Sequence, residues 1–216
     1  MSIQLQAEGL AKTFNRRTIF SGISLSLREG ESLAVTGRNG SGKSTLLKII
    51  SGVLSPSRGR CFLKIDDREV PAASSYTHLG FVSPYLQLYD EFSGIENLEL
   101  FTRIRGHQVP RPFIEALLER VNLAQRSRDQ VRTYSSGMKQ RLKYAFALLH
   151  NPQLLLLDEP TSNLDSEGMA TVYQIMEEQV TRGILIIATN DAEDLKRTDR
   201  VLDLNSLAAE KGAATP

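Results

Sequence analysis

An α/β fold with a mainly parallel sheet is predicted for this 216-residue chain by three observations. The first is the nine-residue stretch Gly37-Arg38-Asn39-Gly40-Ser41-Gly42-Lys43-Ser44-Thr45, which fits G-x-x-x-x-G-K-[ST]. It lies between an apolar run at 32–36, read as a strand, and a helical run at 45–51 that Gly52 is placed to end. The second is the run Leu154-Leu155-Leu156-Leu157 leading into Asp158-Glu159-Pro160, which suits a central parallel strand buried on both faces. The third is a change of period along the chain. Alternation at 3–7 and 23–27 predicts an N-terminal antiparallel β subdomain. Helical spacing between the two centres predicts an inserted helical subdomain at about 84–150.

The length suits a single domain over 1–216 with that helical insertion. Hydrophobic residues make up 41% and charged residues 24%, as in a soluble globular protein. A formal net charge of +1 provides no strong pull toward nucleic acid or anionic lipid. No apolar run approaches a membrane span and the N-terminus shows no secretion signal, so no direct membrane insertion is expected. Cys61, the single cysteine, rules out an internal disulfide and reads as a packing residue of a strand at 60–65.

Further elements follow from the same signals. Residues 28–31 turn before the strand that feeds the glycine loop, and residues 55–59 and Asp66-Asp67 bracket the strand containing Cys61. Residues 79–82 form another buried strand, followed by a loop at 83–90 rich in aromatic and polar side chains. Helices are predicted at 93–105, with Leu98, Phe101 and Ile104 on one face, and at 112–123, with Phe113, Leu117, Leu118 and Val121 on one face. Residues 106–112 separate them. From Met138 a helix places Met138, Leu142, Ala145, Phe146 and Leu149 on one face, with Ser135 and Ser136 as caps. The tail at 208–216 is expected to fray.

The glycine loop has the chemistry of a phosphate cradle. Its glycines let successive N–H groups turn inward, and the following helix adds free N–H groups and its positive dipole end. In such a loop Lys43 reaches the β- and γ-phosphates and the Ser44 hydroxyl can ligate Mg²⁺. Acids at the end of a buried strand are costly unless a positive or polar group lies near. Strand C-termini in an open α/β sheet line the ligand crevice, which places Asp158 to hold Mg²⁺ through water and Glu159 to polarise the attacking water. The Ser135 region supplies a second helix N-terminus, an anion site or an ordinary cap. Phe14, among polar and basic residues at 12–17, reads by itself as a packing residue, although a ring exposed there could stack on a purine.

Together these segments resemble the nucleotide-binding domain of ATP-binding cassette (ABC) proteins over nearly the whole chain. The likeness implies a P-loop NTPase core, ATP and Mg²⁺ as cofactors, and ATP hydrolysis. Residues 37–45 match the family's first phosphate motif, residues 154–160 its acidic strand, and residues 162–165 the loop that follows. Tyr134-Ser135-Ser136-Gly137-Met138-Lys139-Gln140-Arg141 is similar to the family signature, usually Leu-Ser-Gly-Gly-Gln. Ser135 and Gly137 match it, Ser136 replaces a glycine and Met138 replaces the glutamine. The resemblance makes Phe14 an adenine-stacking residue. It also implies a head-to-tail homodimer in the ATP-bound state, in which Ser135 and Gly137 of one copy close over the phosphate loop of the other, with Asp165 near the junction. The implied partner is a separate integral-membrane permease, docked on the helical lobe and the 83–90 loop. The implied location is cytoplasmic, peripheral on the cytoplasmic face of the membrane.

Two positions depart from the family pattern. The glutamine that usually follows the strand at 79–82 is replaced by Pro84, and the resemblance leaves open whether Gln87, the nearest glutamine, takes over its metal contact. The histidine that usually follows the strand at 184–188 is replaced by Asn190, which can donate an amide hydrogen bond but carries no charge. His78, His107 and His150 lie elsewhere in the chain. Slow hydrolysis with retained binding is therefore expected. The catalytic set implied is Glu159, Asn190 and Lys43. The expected function is the ATPase subunit of an ABC transporter; the alternative is an ATP-dependent switch with slow turnover. Thr18-Ile19-Phe20-Ser21-Gly22-Ile23-Ser24 adds a weak likeness to the ATPase of cytochrome-c-biogenesis haem exporters.

Overall fold

The computed structural model describes residues 2–106 and 109–206, so His107 and the expected fraying of 208–216 lie outside the described residues. In chain order the strands are β1 (Ile3–Phe14), β2 (Arg17–Arg28), β3 (Ser32–Thr36), β4 (Arg58–Ile65), β5 (Arg68–Glu69), β6 (Leu79–Val82), β7 (Leu154–Asp158), β8 (Ile184–Ala188) and β9 (Arg200–Asp203). The α-helices are α1 (Lys43–Ile50), α2 (Gly94–Ile104), α3 (Arg111–Arg120), α4 (Ser136–Leu148), α5 (Ser166–Val180) and α6 (Ala192–Leu195).

The strands form two sheets. An antiparallel sheet runs β2-β1-β4-β5 and a wholly parallel sheet runs β6-β7-β8-β3-β9. The parallel strands predicted at 32–36, 79–82 and 184–188 occur with those bounds. The antiparallel strands are longer than their alternation suggested. Bulges interrupt the β1–β2 register between Ala7 and Leu10 and between Leu10 and Lys12, and each bulge resets the period of two. Asn15 and Arg16, both at positive φ, make the two-residue turn that opposes Phe14 to Arg17. Phe14 therefore ends a strand, at the hairpin turn.

Alternate residues of the parallel strands feed two different cores. Leu155, Leu157, Leu185 and Ile187 join the core that contains α4, α5 and the helical lobe. Leu154, Leu156, Ile184 and Ile186 face the other way, toward α1 and the antiparallel sheet. All eight side chains are fully buried. Burying each of them is worth roughly 1.5–3 kcal/mol, so the four-leucine run reflects a strand covered on both faces.

The helical lobe corrects two expected core positions. Phe113 is 41% exposed and Ile114 is buried in its place, because Ile114, Leu117, Leu118 and Val121 follow the i, i+3, i+4, i+7 spacing. Ile104, the last residue of α2, is 63% exposed, since the chain leaves the helix there through Gly106 at φ 70°. α2 begins with a capping box: the Ser93 hydroxyl accepts from the Glu96 N–H and the Glu96 carboxylate accepts from the Ser93 N–H. In α4 only Ser135 is the cap, accepting from the Met138 N–H at 3.2 Å; Ser136 is the first helical residue.

Asn97 of α2 is fully buried and fastens the preceding loop. Its Oδ1 accepts from the Tyr89 N–H at 2.8 Å, and its Nδ2 donates to the carbonyls of Tyr89 at 2.9 Å and Ser93 at 3.0 Å. Asn97→Ala would leave the Tyr89 N–H without its acceptor and remove the two Nδ2 bonds, while the Tyr89 and Ser93 carbonyls keep the Phe92 and Asn97 N–H donors, a cost of about 2–4 kcal/mol. Thermal unfolding should show a fall in Tm of roughly 5–15 °C. A change within experimental error would show that the 89–93 segment finds other partners.

Candidate functional site

The loops that follow β3, β7 and β8 meet at the carboxyl edge of the parallel sheet, the edge where ligands of open α/β sheets bind. The first is the glycine loop. Gly37 has φ 142°, and a Cβ there would fall 2.6 Å from the Ser41 hydroxyl oxygen. Gly42 has φ 104°, caps α1, and would press a Cβ to 2.5 Å from Ile19. A side chain at Gly37 would press on Ser41 of the loop itself, and one at Gly42 on Ile19 and Phe20 of β2. α1 has no side-chain cap and no acid of its own in its first turn, so its N-terminal N–H groups and dipole face the loop without a capping side chain.

Lys43 and Ser44 leave the loop on the first turn of α1. Lys43 is 7% exposed; its Nζ donates to the Gly37 carbonyl at 2.8 Å and lies 4.0 Å from Glu159 Oε1. The Ser44 hydroxyl donates to Asp158 Oδ1 at 3.1 Å. The other carboxylate oxygen of Asp158 and the Ser41 hydroxyl are buried with no hydrogen-bond partner among the described residues. Burial pushes the Asp158 carboxyl above its ordinary value, opposed by the Ser44 hydrogen bond and by Lys48 and Lys43.

Glu159 takes the left-handed conformation at φ 53°, uncommon for a residue with a side chain. Its N–H donates to the Ala188 carbonyl of β8 at 2.8 Å, and its own carbonyl accepts from the Ser162 N–H and hydroxyl. The bend redirects its side chain toward Lys43. Burial raises the Glu159 carboxyl, Lys43 lowers it, and the charges of Asp158, Asp194 and Asp191 raise it further.

Asn190 follows β8. Its Oδ1 accepts from the Gly37 N–H at 3.3 Å, so its side chain is joined to the first glycine of the loop. Asn205, beyond β9, accepts from the Arg38 N–H at 3.2 Å. Sequence reasoning missed Asn205, because nothing in its neighbourhood marks a contact 167 residues away.

The remaining expected site residues lie apart. Phe14 is 44% exposed, with Lys12 Nζ 4.8 Å from its ring centroid. Ser135 and Gly137 open α4 beside the 161–165 turn, where a Cβ on Gly137 would come 3.1 Å from the Asn163 carbonyl oxygen. Within one chain they make no hydrogen bond to residues 37–45 among the described residues. Gln87 lines a groove of about 340 Å³ with Leu86, Leu88, Lys139 and Lys143, and no phosphate-loop residue borders that groove. Asp165 caps α5 through the Gly168 N–H at 2.8 Å.

The profile of the ABC transporter family matches residues 20–162, more than half of the chain. The chain belongs to the ABC transporter family. Among relatives, the lipoprotein-releasing system ATP-binding protein LolD of Xanthomonas euvesicatoria pv. vesicatoria (strain 85-10) is 35% identical over 93% of this chain and 88% of its own length. The linearmycin resistance ATP-binding protein LnrL of Bacillus subtilis (strain 168) is 33% identical over 86% of this chain. The match spans only 60% of LnrL, so this chain covers about three fifths of that longer relative. The fold is shared with the ATP-binding cassette MJ0796, solved as a dimer in a post-hydrolysis state bound to ADP and Pi. The TM-score is 0.82 at 23% identity, covering 92% of this chain and 93% of that one.

The buried Asp158 carboxylate makes stability depend on pH. Its folded pKa lies above its ordinary 3.8, so the folded state keeps the proton to higher pH than the unfolded state does. The charge costs nothing below the ordinary value and its full amount above the raised one. Asp158→Asn should therefore raise Tm at pH 7, by roughly 2–4 °C per kcal/mol recovered. The gain should shrink as pH falls through the window between the two values. The measurement is thermal unfolding in EDTA without nucleotide. A gain of the same size at pH 4 and pH 7 would rule out charge burial as its cause.

Proposed function

We propose that this chain is the ATP-binding and ATP-hydrolysing subunit of an ABC transporter, energising a separate integral-membrane permease through ATP-driven closure of a homodimer. The observation that carries the reading is the convergence of Lys43, Ser44, Asp158 and Glu159 within hydrogen-bond or ion-pair reach at one end of the sheet. Membership of the ABC transporter family and the name of LolD, a lipoprotein-releasing system ATP-binding protein, support it.

In this reading residues 37–45 wrap the phosphates of ATP with backbone N–H groups, and Lys43 contacts the β- and γ-phosphates. Phe14, exposed at the hairpin end, stacks on the adenine. Ser44 and Asp158 hold Mg²⁺: they already share a hydrogen bond, and Asp158 keeps a buried oxygen with no other partner among the described residues. When bound, Mg²⁺ supplies positive charge that offsets the charge of the β- and γ-phosphates. Gln87 as a further metal contact draws no support from its place in the groove. Glu159 accepts a proton from the water that attacks the γ-phosphorus, and ADP leaves. A carboxyl raised by burial is a better base near neutral pH than an exposed one. Asn190 has its oxygen on the Gly37 N–H and its amide hydrogens without a partner among the described residues, so it can donate to the γ-phosphate. A neutral donor stabilises charge less than a cationic histidine, which favours slow turnover.

Closure brings Ser135 and Gly137 of a second copy over the phosphate loop. The unit is a single nucleotide-binding domain, with the helical subdomain at about 84–150 sharing a core with the parallel sheet. Among the described residues no helix is long and apolar enough to cross a membrane, and the proposed place of work is the cytoplasmic face, beside the permease. The permease docks on the 83–90 loop, where Tyr85 is 72% and Tyr89 48% exposed.

Two experiments test the proposal. Glu159→Gln keeps the shape of the side chain but removes the base. It should retain ATP binding, lose turnover by about 10²-fold or more, and accumulate as an ATP-bound dimer of doubled mass by light scattering. A persistent monomer with ATP bound would count against the paired-site model, and wild-type phosphate release against Glu159 as base. The paired change Tyr85→Ser and Leu86→Ser should weaken co-purification with the permease and leave ATP affinity unchanged. Undiminished co-purification would remove the docking assignment.

A further inference from the structure

Behind the site lies a polar cluster that the proposed chemistry does not use. Asp194 of α6 is 1% exposed, although carboxylates are seldom buried without partners. Its hydrogen-bond partners come from two separate loops. The Thr189 hydroxyl, at the end of β8, donates to Oδ2 at 2.8 Å. The Thr161 hydroxyl, from the turn after β7, lies 3.3 Å from both carboxylate oxygens. The Tyr173 hydroxyl of α5 lies near the same carboxylate.

Both threonines lie close in sequence to a residue of the candidate site. Thr189 immediately precedes Asn190, and its hydroxyl also accepts from the Asp191 N–H at 3.0 Å. Thr161 is two residues beyond Glu159 on a turn fixed from the other side, where the buried Tyr144 hydroxyl donates to the Pro160 carbonyl at 2.7 Å. The backbones of the two loops share one further bond, from the Glu159 N–H to Ala188. Asp194 is thus the side chain that clamps the Glu159 turn and the Asn190 loop to one another. Hydroxyl donors on both loops make the clamp specific, because an apolar residue at 194 would leave Thr161 and Thr189 without their shared acceptor.

We infer that Asp194 is a positioning residue, which holds Glu159 and Asn190 in fixed relation across the phosphate loop without itself touching nucleotide. The inference rests on the ATPase reading for its kinetic consequence, but its structural content stands apart from that reading. A small displacement of a reacting group is costly in rate and cheap in ground-state binding, since the cradle at 37–45 does not include Asp194.

The test uses the full chain with Asp194→Ala and Asp194→Asn. The asparagine variant keeps one acceptor oxygen and serves where alanine compromises folding. Asp194→Ala should lower kcat by about 10- to 100-fold, with ATP affinity within about threefold of wild type. Asp194→Asn should recover part of the loss. Amide hydrogen exchange by mass spectrometry should show faster exchange in both 159–165 and 188–191, with 43–50 unchanged. Wild-type kcat in the alanine variant would overturn the inference. So would unchanged exchange in either loop, whatever the rate. If the wild-type chain releases no phosphate from ATP, the ATPase reading fails and the exchange result alone decides whether Asp194 is the clamp.

Discussion

The constraint on which the rest of this structure depends is the burial of charge at the carboxyl edge of the parallel sheet. Asp158 ends a strand whose other four residues are fully buried leucines, and it is itself 1% exposed. A carboxylate there needs compensation, because an isolated buried charge is far costlier than any single packing gain. The compensation comes from α1: the Ser44 hydroxyl bonds one oxygen, and Lys43 and Lys48 lie near enough to pull the carboxyl back toward its ordinary range. Lys43 is buried too and divides its contacts between the Gly37 carbonyl and Glu159. The glycine loop, α1 and the end of β7 are therefore bound electrostatically as well as by packing.

The two-faced sheet carries this arrangement outward. One face packs on α1 and the antiparallel sheet, and the other shares its core with α4, α5 and the helical lobe. α4 runs from Ser135, at the signature-like segment, to the sheet, and its Tyr144 hydroxyl is joined to Pro160 in the turn after Glu159. Asp194 links that turn to the end of β8. Buried hydrogen bonds and close-packed side chains thus join α4 to the turn that carries Glu159. Of the two exposed rings on the 83–90 loop, Tyr89 is on the part that Asn97 holds to α2, and Tyr85 lies with its ring centroid 4.4 Å from Lys48 Nζ of α1.

Some of the site was legible because its chemistry is local. The glycine loop, with the strand before it and the helix after it, is a contiguous motif in which spacing alone dictates backbone geometry. The apolar run ending in Asp158-Glu159 marks a doubly covered strand with acids at the ligand edge. The antiparallel strands run longer than their alternation predicts because bulges reset it, and the α3 face holds at Leu117, Leu118 and Val121 but takes Ile114 in place of Phe113, since both fit a helical period. In the second case burial decides the phase, and burial depends on what lies opposite.

By itself the sequence determined the class of the fold, the phosphate loop, the acidic strand end and four of the five parallel strands, though not β9 or the strand order, since each of these is written in residues adjacent along the chain and governed by backbone sterics and hydrophobic period. Only the tertiary structure decided that Asn190 bonds the first loop glycine, that Asn205 bonds the Arg38 N–H, that Gln87 borders a groove of the helical lobe, and that Asp194 gathers the hydroxyls of Thr161 and Thr189 from two loops. These contacts join residues as much as 167 positions apart. Their existence depends on how far each strand runs before its loop turns back, a length set by packing against the neighbouring strands and not by any residue the loop contains.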